Sequence, residues 1–154
     1  MHDDQHGELP TDPDERPLHL RVHAIGWVFA GGILGTGLRF WAEETFPFVD
    51  GQWPWATFGV NITGAFVLGL LLEALARLGR DEGVRQRIRL FGGTGLCGAL
   101  TTYSTFALEI TELTRASAVV TALLYAVVSV VLGVIAAGCG IGLASTLPSR
   151  TARA

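Results

Sequence analysis

The residues able to do chemistry gather in one stretch, Gly92 to Glu109, GGTGLCGALTTYSTFALE. Gly92, Gly95 and Gly98 come first, at three-residue spacing. An unbroken run of hydroxyls follows, Thr101, Thr102, Tyr103, Ser104 and Thr105, and Phe106 and Glu109 close the stretch. Nothing from Leu90 to Leu108 carries a formal charge, which is close to the length a helix needs to cross a bilayer's hydrocarbon core. The middle of that run is nevertheless a poor helix. Gly98 loses the most backbone freedom on ordering, and Thr101-Thr102 is a β-branched pair. Non-helical backbone at membrane depth persists only where protein or a polar cavity satisfies it. A broken, hydroxyl-rich membrane helix therefore points to an ion or solute site.

Other polar side chains stand in apolar surroundings. Asn61 lies in an apolar run with Thr57 and Gly64 on or near the same helical face. An unpaired amide in hydrocarbon costs several kcal/mol, roughly 2–7, so Asn61 needs partners. It serves either as a bond between helices or as a pore-lining donor, and the second is favoured because glycines leave little else polar on that helix. Tyr125, Ser129 and Gly133 follow one another by single helical turns, a stripe that lines a path or contacts a neighbour. Arg39 ends an apolar run beside Phe40 and Trp41. It either snorkels to headgroups next to an aromatic belt or sets a fixed positive charge at a pore mouth.

Catalysis finds no support. All four histidines lie at or before position 23, so none is available to activate Ser104 or to ligate zinc within an apolar run. Cys97 and Cys139 form no CxxC pair and read as small packing residues. The chain is not expected to be an enzyme.

The elements that must position these residues are membrane spans. Of 154 residues, 49% are apolar and 16% charged, against roughly 25% charged in ordinary soluble domains, and mean hydropathy is positive. No charge occurs from 116 to 149. The net charge of −3 reflects an acidic start rather than the body of the chain, and no basic block suits nucleic acid. Residues 1–17 are acidic, Pro-containing and aperiodic, and read as a disordered tail in which His2 and His6 are solvated. A channel-type domain then occupies 18–148, and 149–154 form a short C-terminal tail.

Four spans are expected, an all-α membrane fold. The first covers about Leu20 to Trp41, with Gly31 and Gly35 as a small-xxx-small pair. The second runs from about Trp55 to Leu75, after the Trp53-Pro54-Trp55 anchor. An arginine-rich loop at 76–89 leads to the third span, broken near its middle. A turn near Thr114 to Ala116 precedes the fourth span, somewhere within Ser117 to Leu147.

Three stretches, GGILGTGLR at 31–39, GVNITGAFVLG at 59–69 and GLCGALTTYSTFALE at 95–109, resemble the signatures of the Fluc (CrcB) fluoride channels over about residues 22–145. The resemblance implies a four-helix subunit acting as an antiparallel, dual-topology dimer with two fluoride pores in the plasma membrane. It implies passive fluoride export from the cytoplasm, lowering fluoride toxicity. It also implies a structural sodium ion at the dimer centre, held by the backbone carbonyls of Gly98 and Thr101. On the same footing Asn61 is the pore amide, Tyr103 and Phe106 are the paired aromatics facing the ions, and Tyr125 and Ser129 start a polar track. Arg39, Ser104 and Glu109 match further motif positions. Two positions depart from the pattern: Tyr103 stands where Phe is usual, and Gly133 where a hydroxyl residue is usual. Tyr keeps the electropositive ring edge that can face an anion, whereas Gly133 removes a donor.

The pattern also makes physical sense. Fluoride is small and strongly hydrated, so a dry pore must offer donors at several depths without burying full positive charges. The alternative is a small proton-coupled multidrug-type exporter. It needs a membrane-embedded carboxylate, and the candidates, Glu73 and Glu109, are expected towards span ends.

Arginine distribution complicates the homodimer. Four spans put both termini and the 76–89 loop on one side, with nine arginines there against Arg39 and Arg115 on the other. Such a bias fixes one orientation, termini in the cytoplasm. Either a paralogous subunit of opposite bias supplies the inverted chain, or distant arginines count little and the dimer is a dual-topology homodimer.

Overall fold

The computed structural model describes residues 22–148. The tails expected at 1–17, with His2 and His6, and at 149–154 lie outside the described residues.

All regular structure among the described residues is helical. Helix α1 is Val22–Thr45, α2 is Trp55–Leu78, and α3 is Val84–Ile88. A π-helical segment, Arg89–Cys97, continues α3 and runs on into α4, Gly98–Leu100. Helix α5 is Tyr103–Arg115 and α6 is Val119–Ser145. Since Ile88, Cys97 and Gly98 keep right-handed helical dihedrals, residues 84–100 form one rod. The described residues therefore form four long helical units: α1, α2, the rod with α5 beyond its break, and α6. Helices α2 and α6 are long and apolar enough to cross a membrane. At 1.5 Å per residue their 24 and 27 residues reach about 36 and 40 Å, beyond the ~30 Å of hydrocarbon. Helix α6 turns Val127, Val130, Val134 and Ile135 outward, each more than half exposed. Lipid is the solvent that such a surface fits.

Glycines set how the units pair. The space where a side chain of Gly31 or Gly35 would sit is filled by the carbonyls of Phe91 and Leu96, respectively, so α1 lies backbone to backbone on the π segment. Gly69 of α2 and Gly140 of α6 are filled in the same way by the Ala137 and Phe66 carbonyls. The bundle is thus two close pairs, α1 with the third unit and α2 with α6. Lipid offers no hydrophobic drive for helix pairing, and this close approach replaces it with van der Waals contact. Order along each pair is parallel. Gly31 meets Phe91 and Gly35 meets Leu100, while Gly133 lies beside Ile62 and Gly140 beside Leu70. Arg77 Nη1 donates to the Leu147 carbonyl at 3.4 Å, which keeps the arginine-rich loop and the end of α6 at one end of the bundle.

Element ends differ from expectation in an informative way. The third unit starts at Val84 rather than Leu90, because VRQRIR makes a charged helical turn before the apolar run begins. The loop there shrinks to 79–83, turned by Gly79 (φ 118°) and Gly83 (φ 58°), positive angles that suit residues without Cβ. Helix α5 ends at Arg115, and Ser117 (φ 61°) makes the turn into α6.

Candidate functional site

The break falls on the threonine pair. Gly98 stays helical (φ −64°, ψ −31°), whereas Thr101 (φ −78°, ψ 150°) and Thr102 (φ −144°, ψ 125°) are extended. Extended backbone is where β-branched residues are least strained, so the discontinuity sits where the chain resists helix most. Gly64 of α2 makes room for it, since a Cβ there would collide with the Thr101 methyl group.

Side chains take over the hydrogen bonds that the helix gives up. Thr102 N–H, which in an unbroken helix would return to the Gly98 carbonyl, donates to Asn61 Oδ1 at 2.8 Å. Asn61 Nδ2 donates back to the Thr102 carbonyl at 3.1 Å. One step on, Thr105 N–H donates to Thr102 Oγ1 at 3.2 Å, an N-cap for α5, instead of returning to the Thr101 carbonyl. The Gly98 and Thr101 carbonyls are thereby released from helical bonding. Thr101 itself is tied down, its N–H and Oγ1 both donating to the Cys97 carbonyl at 3.1 and 2.9 Å. Ser104 Oγ sits 3.2 Å from Thr102 Oγ1 and so belongs to the same cap.

A groove of about 380 Å³ opens beside the break. Asn61, Thr101, Tyr103, Phe106 and Ser129 line it, with apolar α2 and α6 residues between them. Tyr103 is largely exposed, and its ring lies 6.3 Å from that of Phe106, tilted at 45°. Ser129 Oγ is buried and has no hydrogen-bond partner among the described residues. Asn61 spends one of its two N–H groups on Thr102 and keeps the other. The groove therefore holds hydroxyl and amide donors and aromatic edges among apolar walls, with no cationic side chain among the described residues lining it. That combination suits a small anion passing without being trapped.

Tyr125 stands behind the groove, not in its lining. It is fully buried, its ring 5.1 Å from that of Phe106 and 5.4 Å from that of Trp53. Its hydroxyl donates to Glu109 Oε2 at 2.7 Å, while Thr57 Oγ1 donates to Glu109 Oε1 at 2.6 Å. Glu109 was expected towards a span end, and it lies towards the Arg115 end of the third unit, 5% exposed, clasped from α2 and α6. Glu73 likewise lies near the end of α2 and pairs with Arg77 at 2.6 Å. Arg39 is half-buried near the end of α1 and does not line the groove. Sequence reasoning gave Thr57 no partner and Thr102 no task. The available signals were a carboxylate inside an apolar helix, which must find donors, and a hydroxyl residue directly before a helix start.

Comparison with known proteins decides the family. Residues 26–141 match the family described as CrcB-like protein, Camphor Resistance (CrcB). The chain belongs to the CrcB family. Among its relatives is "Fluoride-specific ion channel FluC 2" of Leifsonia xyli subsp. xyli, 43% identical over 134 residues, 87% of this chain and 92% of the relative. "Fluoride-specific ion channel FluC 1" of Streptomyces avermitilis is 42% identical over 122 residues, 78% and 94% of the two chains. "Fluoride-specific ion channel FluC" of Ignicoccus hospitalis is 40% identical over 126 residues, 82% and 98%. CrcB proteins are ion channels rather than enzymes, and the chain is no enzyme.

Proposed function

We propose that this chain is a fluoride-selective channel of the plasma membrane, letting fluoride leave the cytoplasm passively and so lowering its toxicity. The observation that carries the reading is the convergence of Asn61, Tyr103, Phe106 and Ser129 on one groove beside the helix break, in a chain 43% identical to a protein named as a fluoride-specific channel. In this reading the spare Asn61 amide hydrogen, the Ser129 hydroxyl and the aromatic edges replace water around the ion in steps. Tyr125 supports the track from behind, its hydroxyl fixed on Glu109.

The working unit is an antiparallel dimer. Gly98 is exposed within the single chain although it lies in an apolar helix, consistent with cover by a second subunit. The carbonyls of Gly98 and Thr101 fit a structural sodium ion, since hard cations take oxygen ligands and both carbonyls are released from helical bonding. Bound there, sodium would supply a fixed central positive charge and join the two helix breaks. The second subunit is another copy or a paralogue of opposite arginine bias. Relatives whose names carry the numerals 1 and 2 support the paralogue. The multidrug-type exporter gains nothing from the geometry: Glu109 is clasped by two hydroxyls and Glu73 by Arg77.

Two measurements test this reading. Liposomes carrying the reconstituted chain, alone or with its paralogous subunit, should leak fluoride down its gradient without a proton gradient. Proton-driven drug uptake in its place would overturn the proposal. Tags on both ends, read in whole cells, decide the dimer: one orientation of the C-terminus requires a paralogous partner, and equal populations require the homodimer.

A further inference from the structure

A second site lies away from the groove, where the arginine-rich loop meets the membrane. Five arginines stand between 77 and 89, and four of them are engaged. Arg77 holds Glu73, Arg80 holds Glu82 at 3.0 Å, and Arg89 holds Asp81 at 2.7 Å. Arg85 donates to the carbonyls of Leu78 and Arg80 at 2.8 Å each. Arg87 is exposed, and its guanidinium has no partner among the described residues. It borders an apolar slot of about 310 Å³ whose other walls are Trp27, Val84, Ile88, Phe91 and Gly92. Trp27 meets Phe91 edge to face, with ring centroids 6.4 Å apart. Val84 and Ile88 are exposed although apolar.

We propose that this slot binds one anionic phospholipid of the leaflet facing the arginine-rich loop, with its phosphate on Arg87 and the upper part of an acyl chain lying along the wall formed by Trp27, Phe91 and Ile88. Three observations converge on that occupant. The cation has no partner among the described residues, and a guanidinium matches phosphate with two parallel N–H donors. The walls are apolar and open outward, so they suit a hydrocarbon chain and not a soluble anion. The slot also sits where the loop enters the bundle, with a tryptophan of the kind found at headgroup level. Basic pockets between helices on the cytoplasmic side are where anionic headgroups bind. Because five arginines of the segment face three carboxylates, Glu73, Asp81 and Glu82, the local field favours an anionic lipid over a zwitterionic one.

The test is native mass spectrometry of the full chain in detergent, titrated with phosphatidylglycerol or phosphatidylcholine. The wild type should retain a single phosphatidylglycerol per chain in preference to phosphatidylcholine. Arg87→Gln should weaken that retention about tenfold, the loss of one charge-assisted contact. Arg80→Gln removes an equal charge from the same loop and should leave it unchanged. Ile88→Ser should weaken both lipids. Equal retention by wild type and Arg87→Gln would overturn the proposal. So would equal losses in the two arginine variants, which would mean only a diffuse field, or displacement by inorganic phosphate, which would mean an anion site without a lipid. Retention that emerged only after neutralising the acidic residues between 3 and 15 would make that segment the occupant, and would overturn the proposal too.

Discussion

Asn61 and Thr102 exchange two hydrogen bonds across the break: the Thr102 N–H donates to Oδ1 at 2.8 Å, and Nδ2 donates to the Thr102 carbonyl at 3.1 Å. One amide thus bridges α2 to the gap between α4 and α5 and still faces the groove. Asn61→Leu strips both partners from the buried Thr102 backbone, at about 1–3 kcal/mol for each unsatisfied group. Its thermal midpoint should fall sharply and flux should vanish. Asn61→Asp keeps the acceptor for the Thr102 N–H and removes the donors. It should stay folded by size-exclusion chromatography and lose more than tenfold in fluoride efflux. Wild-type efflux from Asn61→Asp would take the amide hydrogens out of the path.

The glycines of α1 divide into two kinds. Gly31 and Gly35 have carbonyls of the third unit where a Cβ would go, whereas Gly32 and Gly37 have nothing within 4 Å. Gly31→Val and Gly35→Val should therefore abolish folded protein, by the overpacking and lost close approach expected of such sites. Gly32→Val and Gly37→Ala should express and elute as the wild type does. Equal tolerance at all four positions, read by yield and elution volume, would mean that α1 does not lie on the π segment as described.

Glu109 ties three helices together through two donors, Thr57 at 2.6 Å and Tyr125 at 2.7 Å. Thr57→Val and Tyr125→Phe should each lower stability by about 1–3 kcal/mol, the range for leaving a buried polar group without its partner. The double variant should cost clearly less or more than the sum, because both act through one carboxylate. Strict additivity in a thermal or denaturant cycle would show that the carboxylate does not couple them.

What could be read from the sequence follows the range of each interaction. Apolar runs and small-xxx-small pairs are local, so α1, α2 and α6 lie within a few residues of expectation, and Gly31 and Gly35 do mark a helix contact. The threonine pair signals the break by its own backbone preference, and only the helical state of Gly98 departs from the expected picture. The π turns of Arg89–Cys97 have no signature beyond glycines, which tolerate many backbone paths and specify none. The Thr57–Glu109 bond joins positions 52 apart, and no local pattern encodes it. Tyr125 and Ser129 share a stripe, yet they divide the work, because Phe106 packs over Tyr125 and leaves Ser129 at the groove wall.

Gly98 separates subunit from dimer. A Cβ there would meet only the Gly93 carbonyl, at 3.9 Å, so Gly98→Ala fits within one chain. If a second chain covers this point, Gly98→Ala should leave helix content unchanged, weaken the dimer in detergent and remove sodium-dependent stabilisation. Thr101→Ser, which keeps both the carbonyl and the Oγ1 bond to Cys97, should retain both. A Gly98→Ala protein as dimeric and as sodium-responsive as the wild type would move the dimer centre elsewhere.

If fluoride passes through the groove lined by Asn61, Tyr103, Phe106 and Ser129, its efflux from liposomes, read with a fluoride electrode, must depend on that lining. The wild type, alone or with its paralogous subunit, should release fluoride and not chloride, and Phe106→Ile should reduce that release at least tenfold while eluting as the wild type does. Efflux unchanged by Phe106→Ile would place the fluoride path elsewhere, and chloride released as fast as fluoride would mean that the channel is not fluoride-selective.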